Sequence, residues 1–313
     1  MRRSIRRSLS SVIMVVALSV TACGSVTSTT SSTAGAPGGT FPAVVHAVNG
    51  TVRLPKRPVA ILSLSPTATE MLYAVGAGRQ VKAVDKNSDY PPQAHRTAMS
   101  GYAPNVEAIA GLRPDLVVTD SGTGGLTGKL AALHIPVLVL PPAARLADVY
   151  QQLDELGMAT GHLSQARQED EEIRTQIASI VASVPKHPEP VTYYYELEQD
   201  YYSVTSSTFV GQLLQLLGLK SIADAAPGAA SAGGYPQLSA EYILKSNPGY
   251  IFLADTICCG QNATTVAARP GWASLTAVRD GHVVGLNDDV ASRWGPRIVD
   301  LLRAVARALG GHG

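Results

Sequence analysis

One helix–turn–strand unit occurs twice in the chain and constrains its architecture more than any other feature. Val106-Glu107-Ala108-Ile109-Ala110-Gly111-Leu112-Arg113-Pro114-Asp115-Leu116-Val117-Val118 reads as a short helix, a Pro-Asp turn and a buried strand. The pattern returns as Ala240-Glu241-Tyr242-Ile243-Leu244-Lys245-Ser246-Asn247-Pro248-Gly249-Tyr250-Ile251-Phe252. In both copies a Glu stands seven residues before the Pro, an Ile follows the Glu by two, and the strand runs into an Asp, Asp120 or Asp255. One recurrence is not a solenoid array; it implies two lobes of similar build.

The rest of the chain fits that frame. Residues 41–54 read as a hairpin around Asn49-Gly50. Residues 59–64, 81–84 and 137–140 read as strands. They alternate with a helix opened by Thr67 as N-cap, with Glu70 three residues on, and with a helix over 126–133. After residue 190 the alternation resumes, with strands at 191–196 and 283–286, a helix over 209–217 and a final helix over 296–309. Residues 225–234, 255–267 and 287–295 read as loops. The expected class is α/β, with mainly parallel sheets covered on both faces.

Residues 146–184 differ. They are helical in pattern, with a break expected at 157–161 and no strand inside. Ile173, Ile177, Ile180, Val181 and Val184 recur at spacings of three and four, while 168–172 form a solvated acidic face. A helix of about 20 residues spans roughly 30 Å, enough to bridge two small lobes. The organisation expected is a signal peptide over 1–22, a lipidated flexible tether over 23–39, an N-terminal lobe over 40–145, a bridging helical segment over 146–185 and a C-terminal lobe over 186–313.

The N-terminus reads as an export signal. Arg2, Arg3, Arg6 and Arg7 precede an apolar run at 12–20 that is too short to span a membrane. Val20-Thr21-Ala22-Cys23 resembles the bacterial lipobox, which implies cleavage before Cys23 and a lipid on its sulfur. The other reading is an ordinary secretory signal, and Arg6-Arg7-Ser8-Leu9 leaves the twin-arginine route open beside the general one. The Ser, Thr, Gly and Ala of 25–39 bury too little surface to repay ordering, so this stretch reads as a tether. The mature protein is expected on the outer face of the cytoplasmic membrane. Lys+Arg 25 against Asp+Glu 24 gives no basic stripe, so nucleic acid is not an expected partner.

An ordered set of motifs resembles the class III solute-binding proteins of ABC importers, which bind cobalamin, ferric siderophores or haem. The set begins with Arg57-Pro58-Val59-Ala60-Ile61-Leu62-Ser63-Leu64-Ser65-Pro66-Thr67-Ala68-Thr69-Glu70. Ser88-Asp89-Tyr90-Pro91-Pro92-Gln93-Ala94 and the two Glu units follow. Asp289-Val290-Ala291-Ser292-Arg293-Trp294-Gly295-Pro296-Arg297 completes it. The stretch from Ser88 to Ala94 is most similar to the cobalamin branch. The resemblance implies two lobes joined by one long helix, a ligand cleft between them, and one exposed Glu per lobe that docks on Arg pockets of the permease. By position these are Glu107 and Glu241. The alternative is that each Glu only favours the first turn of its helix.

Loops at the carboxyl ends of the sheets are the expected cleft. The resemblance assigns Asp289 and Arg293 to polar contacts with a corrinoid and Tyr235 to an aromatic wall. Trp294 and Tyr102 add apolar face. Asn87 and Asp120 stand where the cobalamin binder carries aromatics, which leaves room for a ferric siderophore or haem. No bound cofactor and no resident metal site is expected, since none of the seven His residues has ligand spacing to the Cys258-Cys259 pair. Adjacent Cα atoms lie about 3.8 Å apart, short of the usual disulfide range of roughly 4.4–6.8 Å. The pair is therefore either a vicinal disulfide that stiffens its loop or two free thiols. An enzyme is the rival class, but the chain has no Gly-x-Ser-x-Gly elbow, phosphate loop with Lys, or His-Glu-x-x-His. A haem-relaying lipoprotein without an importer is the third reading.

Overall fold

Short apolar strands and helices alternate through the computed structural model, which describes residues 39–311. The signal segment, Cys23 and the tether up to residue 38 lie outside the described residues. The chain enters through an antiparallel hairpin, β1 (Ala43–Ala47) and β2 (Gly50–Leu54), with Gly50 at φ 104° in its turn. The first sheet follows as β3 (Ile61–Ser63), α1 (Pro66–Ala74), β4 (Val81–Val84), α2 (Val106–Gly111), β5 (Leu116–Thr119), α3 (Leu126–Ala132) and β6 (Val137–Val139). The helices α4 (Leu146–Thr160) and α5 (Leu163–Ser183) come next. The second sheet begins with β7 (Val191–Glu196), α6 (Phe209–Leu216), β8 (Leu219–Ser221), α7 (Ala240–Ser246) and β9 (Tyr250–Leu253). It ends with α8 (Thr256–Cys259), α9 (Ala263–Ala267), α10 (Thr276–Arg279), β10 (Val283–Gly285), α11 (Asp288–Ser292) and α12 (Ile298–Ala308).

The two sheets share one plan. The strand orders are β4-β3-β5-β6 and β8-β7-β9-β10, and every pairing within them is parallel. In each, the first strand lies between the second and the third, so the order reverses between β3 and β5 and between β7 and β9. Loops diverge at the carboxyl ends of such strand pairs and leave a crevice. The repeated sequence unit forms α2–β5 and α7–β9, the third strand of each sheet with its preceding helix. Asn105 caps α2 through Ala108 N–H at 2.8 Å, and Ser239 caps α7 through Tyr242 N–H at 3.1 Å. The residue before each Pro is left-handed, Arg113 at φ 50° and Asn247 at φ 43°, because a following Pro disfavours the right-handed helical region.

The bridging segment is two helices, broken at Gly161 at φ 78°. Gly157, also inside the expected break, stays helical: a Cβ there would come within 2.7 Å of the Ala166 Cβ, so glycine lets α4 and α5 pack closely. The 21-residue α5 runs from the first sheet to the second and buries Ile173, Ile177 and Ile180 in an apolar core that also holds Leu301, Leu302 and Val305 of α12. At about 1.5 Å per residue it is roughly 30 Å long.

Three local expectations change. Ser65, not Thr67, caps α1, because Pro66 has no N–H to satisfy and takes the first helical position. The loop expected at 255–267 contains α8 and α9, and the one at 287–295 contains α11, capped by Asn287 through Val290 N–H. Helices of four or five residues carry too little periodic signal to be read from sequence. None of the helices among the described residues is long and apolar enough to cross a membrane.

Candidate functional site

A cavity of about 480 Å³ opens between the carboxyl ends of the first sheet and α11 of the second half. Its floor is Ser65, Pro66 and Thr67, where β3 gives way to α1. Lys86, Asn87, Asp89, Arg96 and Tyr102 come from the long connection after β4, and Asp120 from the residue after β5. Asp289, Ser292, Arg293 and Trp294 close the far side. Lys86, Arg96 and Arg293 balance Asp89, Asp120 and Asp289, so the wall is polar without a dominant sign. Such a wall suits a ligand with many neutral amides better than a polyanion. Burial raises the Asp120 carboxyl above its ordinary value despite hydrogen bonds from Ser65 and Ser121.

Arg293 is already engaged. One guanidinium nitrogen donates to Glu70 Oε1 at 2.8 Å; the other donates to Asp89 Oδ1 at 2.9 Å, to the Asn87 carbonyl at 3.2 Å and to Asp289. Arg297, just before α12, also grips Glu70, Nε to Oε2 at 3.0 Å and Nη2 to Oε1 at 2.6 Å. The Tyr90 ring lies 4.2 Å beneath it. Glu70 is 1% exposed and sits on α1, while both arginines belong to the second half of the chain. This network therefore clamps the two halves across the cleft. Burial would raise Asp89, but Arg293's hydrogen bond and charge outweigh it and hold the carboxyl below its ordinary value. Burial and the neighbouring Asp89 carboxylate raise Asp289 despite Arg293.

The clamp was not anticipated. Glu70 reads in sequence as half of a capping box, yet a carboxylate followed by buried Met71 and Leu72 has to find a cation. Arg293 and Arg297, from the link between α11 and α12, are the pair that supplies it. Asn87, Asp120, Asp289, Arg293 and Trp294 share the cavity, and the Trp294 indole N–H donates to Gln152 of α4 at 3.0 Å. Tyr235 does not join them. Backbone bonds from Ser203 to Pro236 and from Thr205 to Gly234 fix the segment after a turn that closes at Gly234, φ 90°. Gly234 and Pro236 are buried, and Tyr235 between them is 46% exposed.

The second sheet has its own buried polar group at the corresponding reversal point. Arg269 grips Glu196, the last residue of β7, with two bonds of 2.5 and 2.6 Å, and also donates to Gln261 at 2.7 Å. Its guanidinium lies 4.6 Å over Trp272. Asp255, 0% exposed, has no partner for either oxygen among the described residues. Burial first, then the Glu196 charge, push it up to about 7. Directly after it, Cys258 and Cys259 are joined by a disulfide on an exposed turn.

The sequence profile described as "Periplasmic binding protein" matches residues 61–290, most of the chain. The chain belongs to that family. Among periplasmic binding proteins it is 28% identical over 307 residues to an ABC transporter substrate-binding lipoprotein, YvrC, of Bacillus subtilis, with 95% of each chain covered. It is 29% identical over 272 residues to a cobalamin-binding protein of Halobacterium salinarum, covering 84% of this chain and 72% of the other. The crystal structure of the periplasmic vitamin B12 binding protein BtuF of Vibrio cholerae superposes with a TM-score of 0.62 at 27% identity, over 82% of this chain and 98% of that one. In this periplasmic binding protein Glu107 and Glu241 are both exposed, each at the second position of its helix.

Proposed function

We propose that the protein is the substrate-binding lipoprotein of an ABC importer and captures a corrinoid in the cleft between its halves. The observation that carries this reading is the balanced polar cavity at the carboxyl ends of the strands, walled by Asp120, Asn87, Asp289 and Trp294, in a chain similar to cobalamin-binding relatives. Carboxylate and amide groups accept from and donate to the corrin side-chain amides, while Tyr102 and Trp294 offer apolar face. Arg293 serves the clamp first and meets ligand only through the edge it shows to the cavity. Asp120, held by no cation among the described residues, is the better single contact. The lipobox-like Val20-Thr21-Ala22-Cys23 supports anchoring through Cys23, as does the lipoprotein relative.

Tryptophan-fluorescence titration with cyanocobalamin, hemin and a set of ferric siderophores tests the ligand. Cyanocobalamin is expected to saturate the signal. Asp120→Ala is expected to weaken it by roughly tenfold to a hundredfold, the effect of one lost buried hydrogen-bonding partner of about 1–3 kcal/mol. No response to cyanocobalamin at micromolar concentration, with saturation by a ferric siderophore or hemin, overturns the corrinoid.

Docking is tested separately. Glu107→Ala with Glu241→Ala is expected to leave the titration unchanged and to abolish most uptake, because charged rim contacts set orientation and encounter rate. Normal uptake by the double variant rules out docking through these residues.

A further inference from the structure

The Cys258–Cys259 pair is not used by ligand capture as described, yet it is wired to the cleft. Its helix α8 is a single turn, too short to hold itself in water. Two devices hold it. At one end the Asp288 carboxylate accepts from Thr256 N–H at 2.9 Å, Ile257 N–H at 3.0 Å, Cys258 N–H at 2.7 Å and the Thr256 hydroxyl at 3.0 Å. At the other end the disulfide closes a ring over the 258–259 peptide, and Gly260 at φ 69° ends the turn. Asp288 is the first residue of α11. Its own carbonyl accepts from Ser292 Oγ at 2.7 Å, and the next residue, Asp289, binds Arg293. Ser292, Asp289 and Arg293 are cavity wall. A continuous run of bonds therefore leads from the Cys258 amide through Asp288 into the wall and the clamp. Both cysteines are exposed at the other end of that run, open to a reductant.

We propose that Cys258–Cys259 is a redox-modifiable site that sets the position of α11 and so the affinity of the cleft. The modifying partner is a small dithiol or the dithiol of a thiol–disulfide oxidoreductase. One thiolate attacks a sulfur of the pair, the S–S bond breaks, and a mixed disulfide forms. The second thiol of the reductant then displaces the remaining cysteine and closes its own disulfide. Two electrons and two protons end on Cys258 and Cys259 as thiols. Opening the ring returns backbone freedom to residues 258 and 259, and the Cys258 amide no longer holds its place on Asp288. Oxidised and reduced protein then differ in cleft affinity by about fivefold or more, the ordinary scale of coupling between sites.

The readout that decides this needs no ligand, so it stands whether or not the corrinoid reading does. Dithiothreitol is added to the full-length protein, two new thiols are counted with a thiol reagent, and tryptophan emission is followed. Trp294 lies two residues beyond α11, and Trp272 is buried in the second half of the chain. Reduction is expected to shift the emission. The shift should be absent in Trp294→Phe, and Cys258→Ser with Cys259→Ser should reproduce it without reductant and show no further response. Cyanocobalamin affinity measured on both forms should change with it. Three results overturn the proposal: two thiols already free before reduction, a gain of two thiols with Trp294 emission unchanged, or a reductant response that persists in the double serine variant.

Discussion

Replacing Glu70 with alanine is expected to remove about 3–5 kcal/mol of folding stability, more than most single substitutions cost. Its carboxylate, 1% exposed, takes three hydrogen bonds from Arg293 and Arg297. Without it two largely buried guanidinium groups face each other, and among the described residues only Arg293 keeps carboxylate partners, Asp89 and Asp289. Both arginines come from the far side of the cleft, so the loss should also loosen one half of the chain from the other. Urea denaturation should show a lower midpoint. Glu70→Asp, which keeps the charge but shortens the reach, should fall between. A loss below about 1 kcal/mol for Glu70→Ala would mean that the clamp is only a surface ion pair in effect.

How far this site was legible depends on what kind of signal each part leaves. The repeated unit was legible because a Pro, a preceding left-handed residue and a buried apolar run are local. They recur in Leu112-Arg113-Pro114 and Ser246-Asn247-Pro248 whatever the rest of the chain does. That both sheets use one strand order was not, because pairing between β3 and β5 or β7 and β9 skips a strand in sequence and leaves no local mark. The break between α4 and α5 was placed to within a turn, since Gly161 can take a positive φ at little cost. The partners of Glu70 lie more than two hundred residues away, and a periodicity argument cannot reach that far. Arg293 shows the same limit: its place on the cleft was readable, its prior engagement with Glu70 and Asp89 was not. Tyr235 was expected on the wall by position in a motif; it is 46% exposed and lies outside the lining of the cavity by α11.

Arg269→Ala should produce a loss of about 3–5 kcal/mol that depends on pH, and the dependence identifies the cause. Arg269 is the cation set against two buried carboxylates, Glu196 and Asp255. With it present, Asp255 is pushed up to about 7 from its ordinary 3.8. A carboxyl raised on folding contributes stability that is fully present below about 3.8 and is lost as pH rises through about 7. At this site the loss comes from Asp255, while Arg269 grips Glu196. In the variant both carboxylates lose their cation, and Asp255, already raised by burial and by the Glu196 charge, is raised further. Protonation of Asp255 relieves the repulsion at low pH, so the variant should lie closest to the wild type near pH 5 and furthest from it near pH 8. Adding Asp255→Asn to Arg269→Ala removes one of the two charges and should recover part of the loss at pH 8 while changing little at pH 5. Asp255→Asn alone should reduce the wild-type decline toward neutral pH, leaving the part due to Asp170, which is also pushed up to about 7. Equal losses for Arg269→Ala at both pH values, or a deeper loss at pH 8 in the double variant, would mean that Asp255 and Glu196 do not share one electrostatic environment and that Arg269 acts mainly by packing on Trp272.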